Sequence, residues 1–229
     1  MNARLCWALV FSSSLPGVDG DLCQPCHPAV VQVWSRNGMG RSIQPASALS
    51  PGYYYHRRSN RHYRIGNGRI RRHQLSQGQE INVVDKTVEF LIGSGNHAYT
   101  PVHRSLAGTW IQSPVSWYRE SASWNMSPGF DRPDHLDFRR PITPECLFCH
   151  SAYPRAGAEF PRTIDCDRCH GAPSRHLQEP RRGTILNPAA LSRSKQLDIC
   201  LQCHLETASQ DFGRFLARTT PQRFLVSAW

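Results

Sequence analysis

Four short segments of the chain share one arrangement, in which two cysteines stand three positions apart and a histidine follows the second directly. Residues i, i+3 and i+4 lie on one face of a helical turn, so both thiols and the imidazole point the same way. Two such thiols can bond to the vinyl groups of one haem while the imidazole binds its iron. We therefore predict four covalently attached haem c groups. Their attachment residues are Cys23, Cys26, His27, Cys146, Cys149, His150, Cys166, Cys169, His170, Cys200, Cys203 and His204.

Two other uses of paired cysteines compete with this interpretation. Cys-x-x-Cys pairs also bind zinc, and the gap between the second and third pairs falls in the range of zinc ribbons. Cysteines of exported proteins also form disulfides. Neither use requires a histidine after every pair, and only 11 of the 229 residues are histidine. A histidine at all four places therefore favours haem.

A low-spin haem iron needs a second axial ligand, usually histidine or methionine. The chain has three methionines and seven histidines outside the motifs, so we expect mostly bis-histidine ligation. We expect the ligands to be first His97 and His176, then His56 and His135, and last His62, His73 and His103. The alternative for each is a surface histidine or one that contacts a haem propionate. Which iron each ligand binds is left open.

His176 stands six residues after His170, with Gly171, Ala172 and Pro173 between them. A segment of that length spans at most about 20 Å, and a turn at the glycine and proline shortens it further. We therefore expect His176 to bind the iron of a neighbouring haem. His97 follows an apolar run at 88–92 and a glycine-containing bend, which lets the backbone approach a flat cofactor closely.

The chain is basic, with a formal net charge of +10. Arginines interleaved with tyrosines between residues 53 and 72 could bind phosphates and stacked bases of a nucleic acid. Haem propionates are a second class of anion that arginines pair well. We favour pairing with propionates and predict no nucleic-acid partner.

The first twenty residues are similar to a secretory leader, with one arginine, a short apolar stretch and small residues before Asp21. We predict a signal peptide at 1–20, which would remove Cys6, and one tetrahaem cytochrome domain at 21–229. The protein is then expected to be exported to the bacterial periplasm or exterior. No stretch approaches the roughly 18 apolar residues of a membrane span, so we expect none after processing.

The predicted fold is α+β with little regular secondary structure and short helices after the motifs. A β-rich insert is expected at about 52–118, and the haem cluster at about 146–206. Two antiparallel pairs are predicted in the insert: 63–65 with 69–71 around a Gly-Asn-Gly turn, and 99–104 with 109–118. Haems are expected to provide much of the buried apolar surface.

Segments 93–97, 124–129, 166–171 and 200–206 resemble multihaem c-type cytochromes related to cytochrome c554, over roughly residues 22 to 206. The resemblance implies an exported bacterial protein with closely stacked haems that passes electrons between redox partner proteins. It also implies that His176, after a Cys-His-Gly run, serves a neighbouring haem. Relatives are often longer, with further haem motifs or tetratricopeptide repeats, so this chain fits a truncated member of such a group. Self-assembly through haem stacking is left open.

We expect the chain to be an electron carrier with no catalytic residues of its own. A second hypothesis is an oxidoreductase that acts on a small nitrogen compound, nitrite or hydroxylamine, at a five-coordinate haem. A third is a zinc or disulfide scaffold that binds nucleic acid. The spin state of the haem irons separates the first two hypotheses: low-spin irons throughout favour the carrier, and a high-spin ferric iron favours the oxidoreductase. The third hypothesis predicts a colourless protein.

Overall fold

The computed structural model describes residues 20–153 and 160–204. The predicted leader, except for its last residue, lies outside the described residues, as does everything after His204. Short helices occupy both ends of the described part. They are α1 (Gly20–Cys23), α2 (Pro28–Trp34), α3 (Pro144–His150), α4 (Asp167–His170), α5 (Ser174–Gln178) and α6 (Arg193–Leu201). None of the described helices is long and apolar enough to cross a bilayer.

Ten strands fill the middle of the chain. They are β1 (Ile43–Pro45), β2 (Gly52–His56), β3 (Arg61–Gly66), β4 (Arg69–Ser76), β5 (Gln79–Thr87), β6 (Phe90–Ile92), β7 (Ala98–Arg104), β8 (Trp110–Gln112), β9 (Val115–Tyr118) and β10 (Ser123–Met126). One sheet has the order β2-β3-β4-β5, and a second has the order β1-β6-β7-β9-β10 with β8 also paired to β7. Every pairing is antiparallel. Antiparallel sheets with short helices at either end confirm the predicted α+β class.

The hairpin predicted around Gly66-Asn67-Gly68 is confirmed, with Ile65 opposite Ile70. Its two-residue loop has positive φ at both positions, 51° at Asn67 and 69° at Gly68. Asparagine and glycine tolerate that conformation, and the resulting turn matches the twist of the paired strands. The second predicted pair is confirmed in part. Strand β7 pairs with both β8 and β9, because residues 113 and 114 interrupt the run predicted as one strand.

The apolar core belongs to the two sheets. Eleven buried side chains form one cluster, listed in chain order as Tyr63, Ile65, Ile70, Val88, Leu91, Tyr99, Val115, Trp124, Met126, Phe130 and Phe138. In contrast, the buried hydrophobic side chains described after residue 143 are only Ala152, Leu186 and Ile199. The part of the chain that carries three motifs therefore has little apolar core of its own.

The position of the helix relative to the motif varies among the four motifs. We expected a helix after each motif, as α2 follows the first and α5 the third. Helix α3 instead ends on the second motif, and α6 runs into the fourth. The chain after the fourth motif lies outside the described residues.

Candidate haem-binding site

Each motif is itself a turn of helix. The amide of the histidine donates to the carbonyl of the first cysteine at 2.8 Å in the first motif and at 3.0 Å in the third and fourth. The second motif lies within α3. This geometry places both thiols and the imidazole on one face of the turn, as haem attachment requires. All eight motif cysteines are free thiols in the described part.

The fold brings all four motifs together through contacts between their thiols. The hydrogen bond from Cys203 lowers the pKa of Cys149 to about 7, so the second and fourth motifs are neighbours. Burial, followed by the nearby Cys23 thiol, raises the pKa of Cys166, which joins the third motif to the first. Burial and the Cys200 thiol raise the pKa of Cys169, which joins the third to the fourth. The neighbour order is therefore first, third, fourth, second.

Arg168, inside the third motif, links it to the second and fourth. Its side chain is 3% exposed, and its guanidinium donates to the carbonyls of Phe148 and Ser151 at the end of α3. The guanidinium also lies 4.0 Å from the ring centroid of Tyr153. The Gln202 side chain, in the fourth motif, donates to the Arg168 carbonyl at 3.0 Å. The residues between the motif cysteines thus hold three motifs to one another.

The ring of His170 is held in the tautomer that can bind a metal. Its Nδ1 lies 2.9 Å from the carbonyl oxygen of Leu186. A carbonyl only accepts, so Nδ1 must carry the proton and the lone pair is left on Nε2. Histidine ligands to metals usually have such a partner on the second nitrogen.

His176 is held in the same tautomer by Thr184. The Nδ1 of His176 lies 2.9 Å from the Thr184 hydroxyl. That hydroxyl has one proton, which the carbonyls of Glu179 and Arg181 accept at 2.8 and 2.7 Å. Toward His176 the hydroxyl must therefore accept, so Nδ1 carries the proton and Nε2 has the free lone pair.

The rings of His27 and His176 lie near each other, at a centroid distance close to that of two imidazoles bound to one metal ion. Their centroids are 6.4 Å apart and their planes differ by 16°. Two imidazoles bonded to opposite sides of one metal ion at about 2.0 Å place their centroids roughly 6 Å apart. His27 belongs to the first motif and His176 follows the third, so the ring of His176 lies beside a neighbouring motif rather than its own.

His56, the last residue of β2, and His135, in the loop after β10, are both buried, and their ring nitrogens are already engaged. Nε2 of His56 lies 3.1 Å from an Asp131 carboxylate oxygen and must donate to it, while Nδ1 accepts from the Ser59 hydroxyl at 2.7 Å. Nδ1 of His135 accepts from the amide of Asp137 at 3.0 Å. Their exposures are 3% and 2%. Neither ring has a lone pair directed at an accessible surface in this structure, and their role as iron ligands stays a prediction.

The three histidines that we ranked last are also buried in strands. His62 and His73 stack across β3 and β4 with centroids 5.0 Å apart, and the Tyr53 hydroxyl lies 2.5 Å from Nδ1 of His62. His103 is 3% exposed on β7. His97, in contrast, is exposed. Of the seven histidines outside the motifs, His97 and His176 alone keep an accessible ring.

The arginines of the sheets pair with carboxylates there. The contacts are Arg58 with Asp131, Arg64 and Arg71 with Glu80, Arg69 with Asp85, and Arg72 with Asp137. These pairs give the clustered arginines a structural role within β2 to β5 and the loop that follows β10. The expected pairing of this cluster with haem propionates stays a prediction.

The surroundings of the motifs fit a flat apolar cofactor. Large hydrophobic side chains are exposed beside them, with Val30 and Val33 on α2 at 67% and 69%. Leu22, Leu177 and Leu201 are exposed by 40% or more. Exposed leucine and valine side chains concentrated near eight thiols and four exposed imidazoles are suited to cover a porphyrin. No group of three or more histidine, cysteine or acidic side chains in the described ranges is arranged to hold a bare metal ion.

With this geometry established, the fold is found to be similar to that of a cytochrome. One matching solved structure is that of the outer cell wall cytochrome OcwA, with 16% sequence identity and a TM-score of 0.53. The alignment covers 82% of this chain and 37% of that one, so the chain spans about a third of the neighbour's length. No family model matches the chain, and no curated protein matches it. The relation to cytochrome c554 therefore stays a prediction.

Sequence reasoning missed the residues that hold the candidate ligands and motifs in place. Thr184 contacts His176 from 8 positions away, and the Leu186 carbonyl contacts His170 from 16 positions away. Arg168 contacts Phe148 and Ser151 from 20 and 17 positions away. No motif marks the first two, and Arg168 occupies a motif position that any residue can fill. Each of these contacts joins residues that are too far apart in sequence to form a recognisable turn and too close to belong to successive structural repeats.

Proposed function

We propose that this chain is a tetrahaem c-type cytochrome that passes electrons between redox partner proteins. The haems would be bonded to the eight motif cysteines, with His27, His150, His170 and His204 as proximal ligands. When bound, haem supplies one-electron chemistry at its iron. The residues of the chain hold the cofactors, orient their ligands and exclude water. Export to the periplasm or exterior after removal of residues 1–20 is part of the proposal.

The closeness of the His27 and His176 rings is the observation that carries the proposal. An iron with an imidazole on each side is six-coordinate, and such an iron exchanges electrons without binding a substrate. Thr184 holds His176 in the ligating tautomer, so the partner for His27 is oriented in advance. We propose that these two histidines are the axial ligands of the first haem.

The contacts between motifs support a continuous path for electrons. Because the first motif adjoins the third, the third adjoins the fourth and the fourth adjoins the second, we propose that electrons follow that order. The order differs from the order along the chain. Each end of the path would then meet a different redox partner.

The first experiment is production of the full chain in a host that attaches haem c. We expect a red protein whose intact mass exceeds that of the processed chain by four haems. A colourless product with the mass of the polypeptide alone would refute the proposal. Mass spectrometry of haem peptides then checks each motif, and an empty motif would remove that haem from the path.

The axial pair is tested by His176→Ala. We expect one of the four haems to change from low spin to high spin in the visible and electron paramagnetic resonance spectra, since His27 would lose its partner. His103→Gln is the matched control, because His103 is buried on β7 and should leave every spin state unchanged. Identical spectra for His176→Ala and the parent protein would contradict the assignment.

A further inference from the structure

A groove lies at the irregular part of strands β4 and β5, away from the haem motifs. It is lined by two arginines, two amides and two valines, which are Arg61, Arg72, Gln74, Asn82, Val83 and Val84. The register between the strands shifts between Arg72 and Gln74, and Asn82 has a positive φ of 52°. Such bulges turn side chains away from the regular sheet and are common beside functional sites. The space between the lining residues is about 620 Å³, including the part that is open to solvent.

Arg61, on β3, has no carboxylate partner among the described residues, although it is half-buried. Five neighbouring arginines do have such a partner, namely Arg58, Arg64, Arg69, Arg71 and Arg72. The guanidinium of Arg61 instead donates to the Tyr63 hydroxyl and lies against the ring of His135. Both of these contacts are to neutral groups, so the charge of Arg61 is not compensated in the groove.

The ring of His135 offers Arg61 no free lone pair. Nδ1 of His135 already accepts from the amide of Asp137 at 3.0 Å. Burial, together with the charge of Arg61, lowers the pKa of His135 to about 4, so the ring is neutral and carries its proton on Nε2. Nη1 of Arg61 lies 2.7 Å from that Nε2. Two N–H groups therefore face each other, and an anion that accepts from Arg61 would draw the guanidinium away from this contact.

Arg72 has a second unused donor beside the groove. The residue is 9% exposed, and its terminal nitrogens donate to the Asn82 carbonyl and to the Asp137 carboxylate. Its Nε has no hydrogen-bond partner in the described part of the chain. Because the charges of Arg72 and Asp137 compensate each other, Arg61 leaves the groove with a net positive charge.

We infer that this groove binds the carboxylate of a small aliphatic acid, with Arg61 as its main partner. The planar guanidinium fork matches the two oxygens of a carboxylate. Val83, which is 42% exposed, and Val84 supply an apolar wall for a short hydrocarbon chain. Inorganic phosphate would leave that wall without a contact. The inference goes beyond the proposed electron transfer and does not rest on it.

The test is isothermal titration of the full haem-loaded chain with sodium butyrate at low ionic strength. We expect one butyrate to bind at the groove, and Arg61→Gln to weaken its binding about tenfold or more, because charged hydrogen bonds are lost. Arg64→Gln is the matched control, since Arg64 lies on the same strand but pairs with Glu80. We expect this control to bind butyrate like the parent, and inorganic phosphate to bind the parent more weakly than butyrate does.

A second pair of variants tests the groove without changing a half-buried residue. Val83→Asp places a negative charge on the exposed wall and should also weaken butyrate binding. Ile81→Asp is its control, because Ile81 is 40% exposed on the same strand and does not line the groove. Circular dichroism checks that each variant is folded.

Butyrate that binds equally to the parent and to folded Arg61→Gln would overturn the inference, since the anion would then be held elsewhere. A haem-loaded parent that binds no butyrate would also overturn it. Tighter binding of phosphate than of butyrate would contradict the assignment to an aliphatic acid. None of these outcomes bears on the haem count, which the intact mass measures separately.

Discussion

The hydroxyl of Thr184 controls which nitrogen of His176 carries the proton. Because it accepts from Nδ1, it leaves the Nε2 lone pair for a metal and increases the electron density of the ring. A more electron-rich imidazole stabilises ferric over ferrous iron. The backbone carbonyl of Leu186 has the same effect on His170, although no substitution can remove it.

Thr184→Val removes the acceptor while keeping the shape of the side chain. We expect the midpoint potential of one haem to rise, on the order of 60 mV if the preference for ferric iron falls tenfold. Spectroelectrochemical titration measures this shift. Thr87→Val is the matched control, because Thr87 accepts only from Arg69 on the distant sheet. Equal potentials in both variants would mean that Thr184 does not act on a ligand.

Buried neutral histidines make the stability of the sheets depend on pH. Burial lowers the pKa of His103 and of His135 to about 4, below the ordinary value of 6.5. Between these values the unfolded chain binds protons that the folded chain does not, so stability is lost as pH falls from 6.5 to 4. We expect the melting temperature to fall through that range, and less steeply in a His103→Gln, His135→Gln double variant. An unchanged slope in the double variant would contradict this account.

At the scale of elements, helix α4 joins α3 and the end of α6 through one side chain. Arg168 supplies hydrogen bonds to two carbonyls at the end of α3, which have no partner within the helix. Its own carbonyl accepts from Gln202 after α6. The relative positions of three motifs, and so of the haems proposed for them, depend on this contact.

Arg168→Met keeps a long side chain and removes the hydrogen bonds. We expect it to lower the free energy of unfolding by about 3 kcal/mol, because buried carbonyls lose charged donors. Thermal denaturation followed by circular dichroism measures the loss. Arg175→Met, at an exposed position on α5, should cost much less. If the two variants melted alike, Arg168 would not hold the motifs together.

At the scale of the whole molecule, the two parts of the chain are stabilised in different ways. The sheets bury eleven side chains in one cluster, while the described chain after residue 143 buries three hydrophobic side chains. Exposed apolar side chains surround the motifs. Haem would therefore contribute apolar contacts mainly to the motif region, and the sheets should depend on it less.

A variant with all eight motif cysteines changed to alanine tests this division. We expect limited proteolysis to cut the chain within residues 144–204 and to leave a resistant fragment that contains the sheets. Mass spectrometry of the fragments, beside the haem-loaded parent as control, locates the cuts. Rapid cleavage between Tyr63 and Phe138 would show that the sheets also depend on haem.

Local features were predictable because they depend on residues close together in the chain. The helical turn of each motif and the Asn67-Gly68 hairpin follow from spacing and from the φ angles that particular residues tolerate. The split of residues 109–118 into two strands was not predictable, since β7 provides both partners from a distance. The same limit applies to His176, whose neighbour His27 is remote in sequence.

The sequence by itself determined the proposed attachment chemistry, four sets of two thiols and an imidazole, because that chemistry would need only one turn of helix. The tertiary structure alone decided which ring nitrogens of the other histidines are engaged. Nε2 of His56 is engaged by Asp131, 75 residues away, whereas Thr184 engages Nδ1 of His176 and leaves its Nε2 free. Whether a ring nitrogen has a free lone pair depends on burial and on hydrogen-bond partners, and folding brings those partners from distant segments.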